Sequence, residues 1–293
     1  MQPFRDKLLQ AVAQLEIRSR RNIASLLAGD YRSSFRGSGM QFKEFRHYEP
    51  GDDIRHMSWP VTARTGRATV KVYEEERELN VLALIDVSGS TQFGEIHQRK
   101  IDMYAEVAAL LGLAAVKSGD PFAALLFSQK VNAYLPPRRT QDHVRSTMLK
   151  ILEQPLAGAG SDLRPALSYV GRVVKQRSLI LILSDFLLPP FEAELRSLTR
   201  RHEVVLLHGF DDAERGVGLS GIYPVWDPES GAYQILDGNS ARVRRKLAEF
   251  QTGLVNRLQD LGRSCGADYL ALSREDDYLK RLVSFFRRRG HRR

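Results

Sequence analysis

The sequence predicts an α/β fold: a doubly wound, mainly parallel sheet with helices on both faces, preceded by an N-terminal helix and β extension. Three observations carry this. First, "LNVLALID" (79–86) and "SLILILSD" (178–185) are nearly unbroken apolar runs, the pattern of strands covered on both faces, and each ends on an acid. Second, strand-like and helix-like segments alternate from residue 79 onward, as parallel sheets require. Third, 293 residues with 43% apolar and 27% charged side chains suffice for one large core plus an extension.

The elements follow in order. Leu8, Leu9, Val12, Leu15, Leu26 and Leu27 fall at mostly helical spacing, which predicts a helical arm over residues 4–28. "YRSSFRGSGM" (31–40) has loop composition, and 40–48 and 68–76 read as strands. Between them Pro50-Gly51 supplies a turn, because proline fixes one φ and glycine accepts a positive one. The pattern changes near residue 78, which divides the chain into 1–78 and 79–293. Beyond it come strand 79–86, helix 99–117, strands 122–127 and 131–135, a helix over 140–154 opened by Thr140, and helix 163–176. Strand 178–185, helix 191–201, strand 203–210, a hairpin over 221–236, helix 240–262, strand 268–272 and helix 275–288 complete a six-stranded sheet domain.

A formal net charge of +9 raises the prospect of an acidic partner, nucleic acid or an anionic surface. Much of it sits in short clusters and in the tail "FFRRRGHRR" (285–293), which reads first as solvated. Cys265 is the single cysteine, so an intrachain disulfide is excluded, and a reducing compartment fits. No secretory h-region opens the chain, and the longest apolar stretch, "VAALLGLAAV" (107–116), is well short of the roughly 20 residues of a membrane span. The expectation is a cytoplasmic protein.

Chemistry concentrates at the acid-tipped strands. Ligands of open α/β sheets sit beyond the carboxyl ends of the strands, where Asp86 and Asp185 fall. If the two strands are neighbours, the carboxylates converge. Ser88 and Ser90, spaced by two around Gly89, can point the same way, and the glycine-rich "AGAGSDLRPAL" (157–167) adds Ser161. Two carboxylates and three hydroxyls are hard oxygen donors. They favour Mg²⁺, with Mn²⁺ or Ca²⁺ as alternatives, over zinc. So few direct carboxylates leave such an ion receptive to an acidic ligand from outside.

"DVSGS" (86–90) resembles the DxSxS signature of von Willebrand factor type A domains, whose metal-ion-dependent adhesion site adds a Thr and a later Asp. Ser161 and Asp185 stand at those positions, with Ser in place of Thr. The stretch 37–90 is similar to the DUF family 58 proteins. It carries their G-x-G, their R-x-Y-x-P-G-D-D-x-R as Arg46, Tyr48, Pro50, Gly51, Asp52, Asp53 and Arg55, then Trp59, Ala63-Arg64, Val70-Lys71 and Glu74-Glu75. "MSW" (57–59) departs from the family's acid before the Trp. The resemblance runs from about residue 30 to the end. It implies a von Willebrand type A-like, Rossmann-like fold and a MoxR-type AAA+ ATPase as partner. It also implies that Ser88, Ser90 and Ser161 hold Mg²⁺, with Asp86 and Asp185 acting partly through water.

Plainer roles compete for the same residues. Asp86, Ser88 and Ser90 could simply cap a strand-end turn, and Ser161 could cap the following helix. "PGDDIRHMSW" reads as a turn stapled by ion pairs such as Asp53 with Arg55 or Arg64, with Trp59 as a packing anchor. The histidines show no metal-ligand spacing, and Cys265 reads as core.

Three functions are compatible with the chain. The leading one is a non-enzymatic module gripping an acidic protein ligand, with no small-molecule substrate; no G-x-x-x-x-G-K-[ST] loop for ATP hydrolysis is present. The second is a metal-dependent phosphohydrolase using Asp86, for which Ser88 stands where a second acid is needed. The third is nucleic-acid binding through the basic C-terminal tail, for which no known module is present.

Overall fold

The computed structural model describes residues 40–75, 79–91, 99–155, 160–227 and 232–290. The helix expected over 4–28 and most of the loop expected over 31–40 lie outside them. Two compact units emerge, one within residues 36–78 and one within 79–293, and each is described by itself.

In the first unit, β1 (Met40–His47) pairs antiparallel with β2 (Thr69–Glu75). A 3-10 turn (Ile54–His56) and helix α1 (Trp59–Thr65) connect them. The Asp53 side chain caps the turn by accepting from the Arg55 amide, and the Arg55 guanidinium lies 3.4 Å from it, the expected pairing. A pairing with no sequence cue joins Arg46 to Asp52 at 2.8 Å, while Asp52 also accepts from the Glu49 amide. Trp59 departs from expectation: it is 64% exposed rather than packed. It stands first in a helix of 7 residues, none of which is buried.

The second unit runs β3 (Asn80–Asp86), α2 (Lys100–Lys117), β4 (Phe122–Phe127), β5 (Val131–Arg138), α3 (Gln141–Leu152), α4 (Arg164–Val173), β6 (Ser178–Ser184) and α5 (Glu192–Thr199). Then follow β7 (Glu203–Phe210), β8 (Ile222–Asp227), β9 (Ala232–Asp237), α6 (Ala241–Cys265), β10 (Asp268–Ser273) and α7 (Tyr278–Gly290). The 6-stranded sheet has the order β10-β7-β6-β3-β4-β5. Every pairing is parallel except β4 with β5. This is the doubly wound, Rossmann-like order. The chain leaves β3 in one direction through β4 and β5, then returns to β3's other side with β6. The crevice at the carboxyl ends of β3 and β6 is therefore the topological switch point.

Alternation within β3 shows why its run is apolar throughout. Val81, Ala83 and Ile85 join one core with α2, α3 and α7, while Leu82 and Leu84 join the other with α4, α5 and α6. Cys265 belongs to the second core, as expected. Gly209 on β7 lies under α2. A Cβ there would collide with Met103 and Tyr104, so a glycine is what lets α2 approach the sheet. Among the described residues no helix is long and apolar enough to cross a membrane.

Two surface features stand out: the hairpin follows the sequence reading, and the arginine-rich end departs from it. The hairpin β8–β9 forms a separate 2-stranded sheet, and Ile222, Pro224, Tyr233 and Ile235 share one exposed face of it. The arginine-rich end is not wholly solvated: Arg289 is 5% exposed, and pairs at 2.8 Å with both Glu203 and Asp268.

Candidate metal centre

β3 ends on Asp86, whose side chain is 0% exposed. The carboxylate is held from three directions. The Ser88 amide donates to its Oδ1 at 3.0 Å. The Ser161 hydroxyl lies 3.2 Å from both oxygens, and the Ser184 hydroxyl donates to Oδ2 at 2.8 Å. Ser161 is thus not a helix cap: α4 begins at Arg164 with no side-chain cap, and the hydroxyl turns to Asp86 instead. Its loop is tied to the end of β4 by the Asp162 amide donating to the Ser128 carbonyl at 3.0 Å.

After Asp86 the chain enters a 3-10 turn, Gly89–Thr91, closed by the Thr91 hydroxyl on the Ser88 carbonyl at 2.8 Å. That turn puts Ser88 Oγ 3.2 Å from Ser90 Oγ, and Ser90 Oγ 3.2 Å from Asp185 Oδ2. Asp185 follows β6 directly, and its Oδ1 accepts from the Leu187 amide at 3.2 Å. Phe186 sits at φ 55, a left-handed backbone uncommon without glycine, and its amide donates to Ser184 Oγ. Strain of this kind clusters at functional sites. All five expected residues therefore meet in one place, at the switch point.

Three contributors escaped the sequence reading. Ser184 bridges Asp86 and the Phe186 amide. Lys100, on the first turn of α2, donates to Asp185 Oδ2 at 2.7 Å and to Glu214 Oε1 at 2.8 Å. Glu214 lies on a 3-10 turn (Asp212–Arg215) after β7 and accepts from Gln251 of α6. The one available cue was "RKID": cations at a helix start oppose the macrodipole, so a Lys there needs a carboxylate from elsewhere.

Burial and the nearby Asp185 push the Asp86 carboxyl up to about 6, against hydrogen bonds from Ser88 and Ser184. Burial would also raise Asp185, but the Lys100 ammonium and its hydrogen bond hold it below the usual range. Lys100 is buried too, yet Asp185 and Glu214 raise it above an ordinary lysine.

Among the described residues no three His, Cys, Asp or Glu side chains group as metal ligands, so a metal here would depend on hydroxyls. The donor set fits. Adjacent oxygens stand at 3.2 Å, and neighbouring ligands of an octahedral Mg²⁺ with bonds of about 2.1 Å are roughly 3.0 Å apart. A cation would also relieve the repulsion that raises Asp86.

Beneath this site His208 is fully buried, sharing a 2.8 Å hydrogen bond through Nδ1 with the Tyr269 hydroxyl and meeting the Phe186 ring edge-on. Burial pushes it down to about 4, with Asp185 opposing and Lys100 assisting. Its folded value lies below the ordinary 6.5, so the unfolded chain takes up the proton first. Its contribution to stability is full above pH 6.5 and is lost as pH falls through about 4. The expected loss is about 3 kcal/mol. Urea unfolding at pH 7 and pH 4.5 should show a smaller acid loss in His208→Gln than in wild type; equal losses would assign the acid sensitivity elsewhere.

The description "Protein of unknown function DUF58" matches residues 44–254, most of the sheet domain and the block before it. The chain belongs to the DUF58 family. Among its relatives, the uncharacterized protein Rv1480 of Mycobacterium tuberculosis is 31% identical over 289 residues, 97% of this chain and 91% of its own length. Among solved structures, an aerotolerance-related membrane protein from Bacteroides fragilis, with multiple mutations to serines, gives a TM-score of 0.47 at 14% identity, over 73% of this chain and 100% of that one. The SpRpn10 VWA domain gives 0.40 at 12% identity, over 71% and 94%. In this DUF58 chain the von Willebrand type A-like fold stands on its own sheet order, with the DxSxS loop on the first of the sheet's strands.

Proposed function

We propose that this DUF58 protein is a non-enzymatic interaction module that grips an acidic side chain of a protein partner through a divalent cation. Mg²⁺ is favoured, with Mn²⁺ or Ca²⁺ as alternatives. The observation that carries this is the convergence of Ser88, Ser90 and Ser161 with Asp86 and Asp185 at the switch point. Ser88, Ser90 and Ser161 would supply direct oxygens. Asp86 and Asp185, whose oxygens already accept hydrogen bonds from the chain, would act partly through water. A divalent cation held this way supplies an open coordination position for a carboxylate oxygen from outside. The role of adaptor or co-chaperone to a MoxR-type AAA+ ATPase rests on the family resemblance alone.

The phosphohydrolase reading draws less support. Asp86 is fully buried with both oxygens engaged, and residue 88 is a serine rather than a second acid. An aspartyl nucleophile needs a free, ionised oxygen.

The test is thermal stability across a Mg²⁺ and Mn²⁺ titration in EDTA-treated buffer. A ligand bound only by the folded state adds about 2.7 kcal/mol at 100 times its dissociation constant, roughly 5 °C or more for a chain of this size. Wild type should show that rise and Asp86→Ala should not. Equal rises in both would place the metal elsewhere. A MoxR-type ATPase that co-purifies equally well in EDTA would remove the metal from that interaction.

A further inference from the structure

Lys100 is an unusual neighbour for a cation site. Its ammonium lies 2.7 Å from Asp185 Oδ2, the same oxygen that faces Ser90 Oγ at 3.2 Å. It is buried, and it reaches a second carboxylate, Glu214 Oε1, at 2.8 Å. The two oxygens bracket the ammonium, so a shift of the side chain toward Glu214 would not strip it of a partner. Glu214 is itself steadied by Gln251 of α6, at 3.2 Å from its other oxygen. Around the centre the charges are Asp86 and Asp185 on one side and Lys100 on the other, with Glu214 beyond it. One of the two strand-tip carboxylates is already balanced before any divalent ion arrives.

We infer that Lys100 is a built-in counter-charge that keeps the centre weak for a divalent cation until an outside carboxylate joins it. The ammonium weakens the pull of Asp185 and repels a divalent ion at close range, and at low dielectric that repulsion is large. A carboxylate from a partner adds the negative charge that the lysine cancels. Cation and acidic ligand then bind together far better than either does alone, and Lys100 relaxes onto Glu214. The device makes occupancy of the centre at low cation concentration depend on the partner, while a high concentration of cation alone still fills it. It rests on the metal reading given above and adds to it a residue that sets the order of binding.

The experiment is direct calorimetric titration of the full chain with Mn²⁺ alone, in wild type, Lys100→Met, Lys100→Arg and Glu214→Gln, each checked for folding by circular dichroism. Lys100→Met should bind Mn²⁺ about tenfold or more tightly than wild type. Lys100→Arg keeps the charge and should stay weak. Glu214→Gln confines the ammonium to Asp185 and removes a negative charge, so it should bind more weakly than wild type. A merely structural lysine would weaken binding in all three variants, and that outcome, or no change in Lys100→Met, overturns the inference. If Lys100→Met does not fold, Lys100→Gln takes its place and is read the same way: tighter binding is expected, and unchanged or weaker binding overturns the inference. Wild-type binding without these shifts sinks the lysine's role and leaves the metal reading standing. No Mn²⁺ binding by any chain, even in the millimolar range, sinks both.

Discussion

Asp185→Ala is expected to lower the unfolding free energy by about 3–5 kcal/mol, the range seen when one partner of a buried ion pair is removed. Asp185 is 2% exposed and is the closer of the two carboxylates that hold Lys100. Without it, the ammonium keeps only Glu214 among the described residues, and Ser90 and the Leu187 amide lose this acceptor as well. The penalty comes from leaving a buried ammonium with one carboxylate in place of two, and two further donors without this acceptor. A double variant, Lys100→Met with Asp185→Leu, should therefore recover most of the loss, because apolar replacement of a buried pair is often close to neutral. Urea unfolding at pH 7 measures both. A single-variant loss below about 1 kcal/mol would mean that Glu214 alone satisfies the Lys100 charge.

Arg289→Met should cost a similar amount, about 3 kcal/mol or more. The guanidinium ties α7 to the start of β7 through Glu203 and to the start of β10 through Asp268. The Glu203 side chain is 3% exposed, and a second cation, Arg177, is half-exposed at 3.2 Å, a weaker tether. Removing Arg289 takes from the buried Glu203 an ion pair at 2.8 Å in which both side chains are buried. Unfolding in urea should show the loss, and hydrogen exchange should show it first in α7. Uniform exchange across the unit would argue that α7 is held chiefly by Leu282, Phe285 and Phe286 in the core.

Arg289 also shows where sequence reasoning ran out. In "FFRRRGHRR" (285–293) nothing distinguishes one arginine from the next, and only the packing of α7 against the sheet turns one inward. The sheet was readable because its strands are apolar on both faces, a pattern that needs no knowledge of neighbours. The DxSxS loop was readable because its residues are adjacent in the chain. Ser184 was hidden within the apolar run "SLILILSD", where one hydroxyl looks like a strand end. Lys100 and Glu214 meet across 114 positions, and no local spacing reports such a meeting. Trp59 misled for the opposite reason: its size argues for burial, but it opens a short helix with no buried residue.

The Ser184–Asp86 hydrogen bond spans 98 positions, and the Ser90–Asp185 bond spans 95. Contacts so distant along the chain need long loops closed first, which slows their formation. The expected order is that the centre assembles late in folding, once β6 has docked beside β3. An ion that needs the finished centre has little to hold in the transition state. Its stabilisation should then appear almost wholly as slower unfolding, leaving the folding rate unchanged. For this chain, a loaded centre would act as a lock on a protein already folded, rather than as a seed that helps it fold.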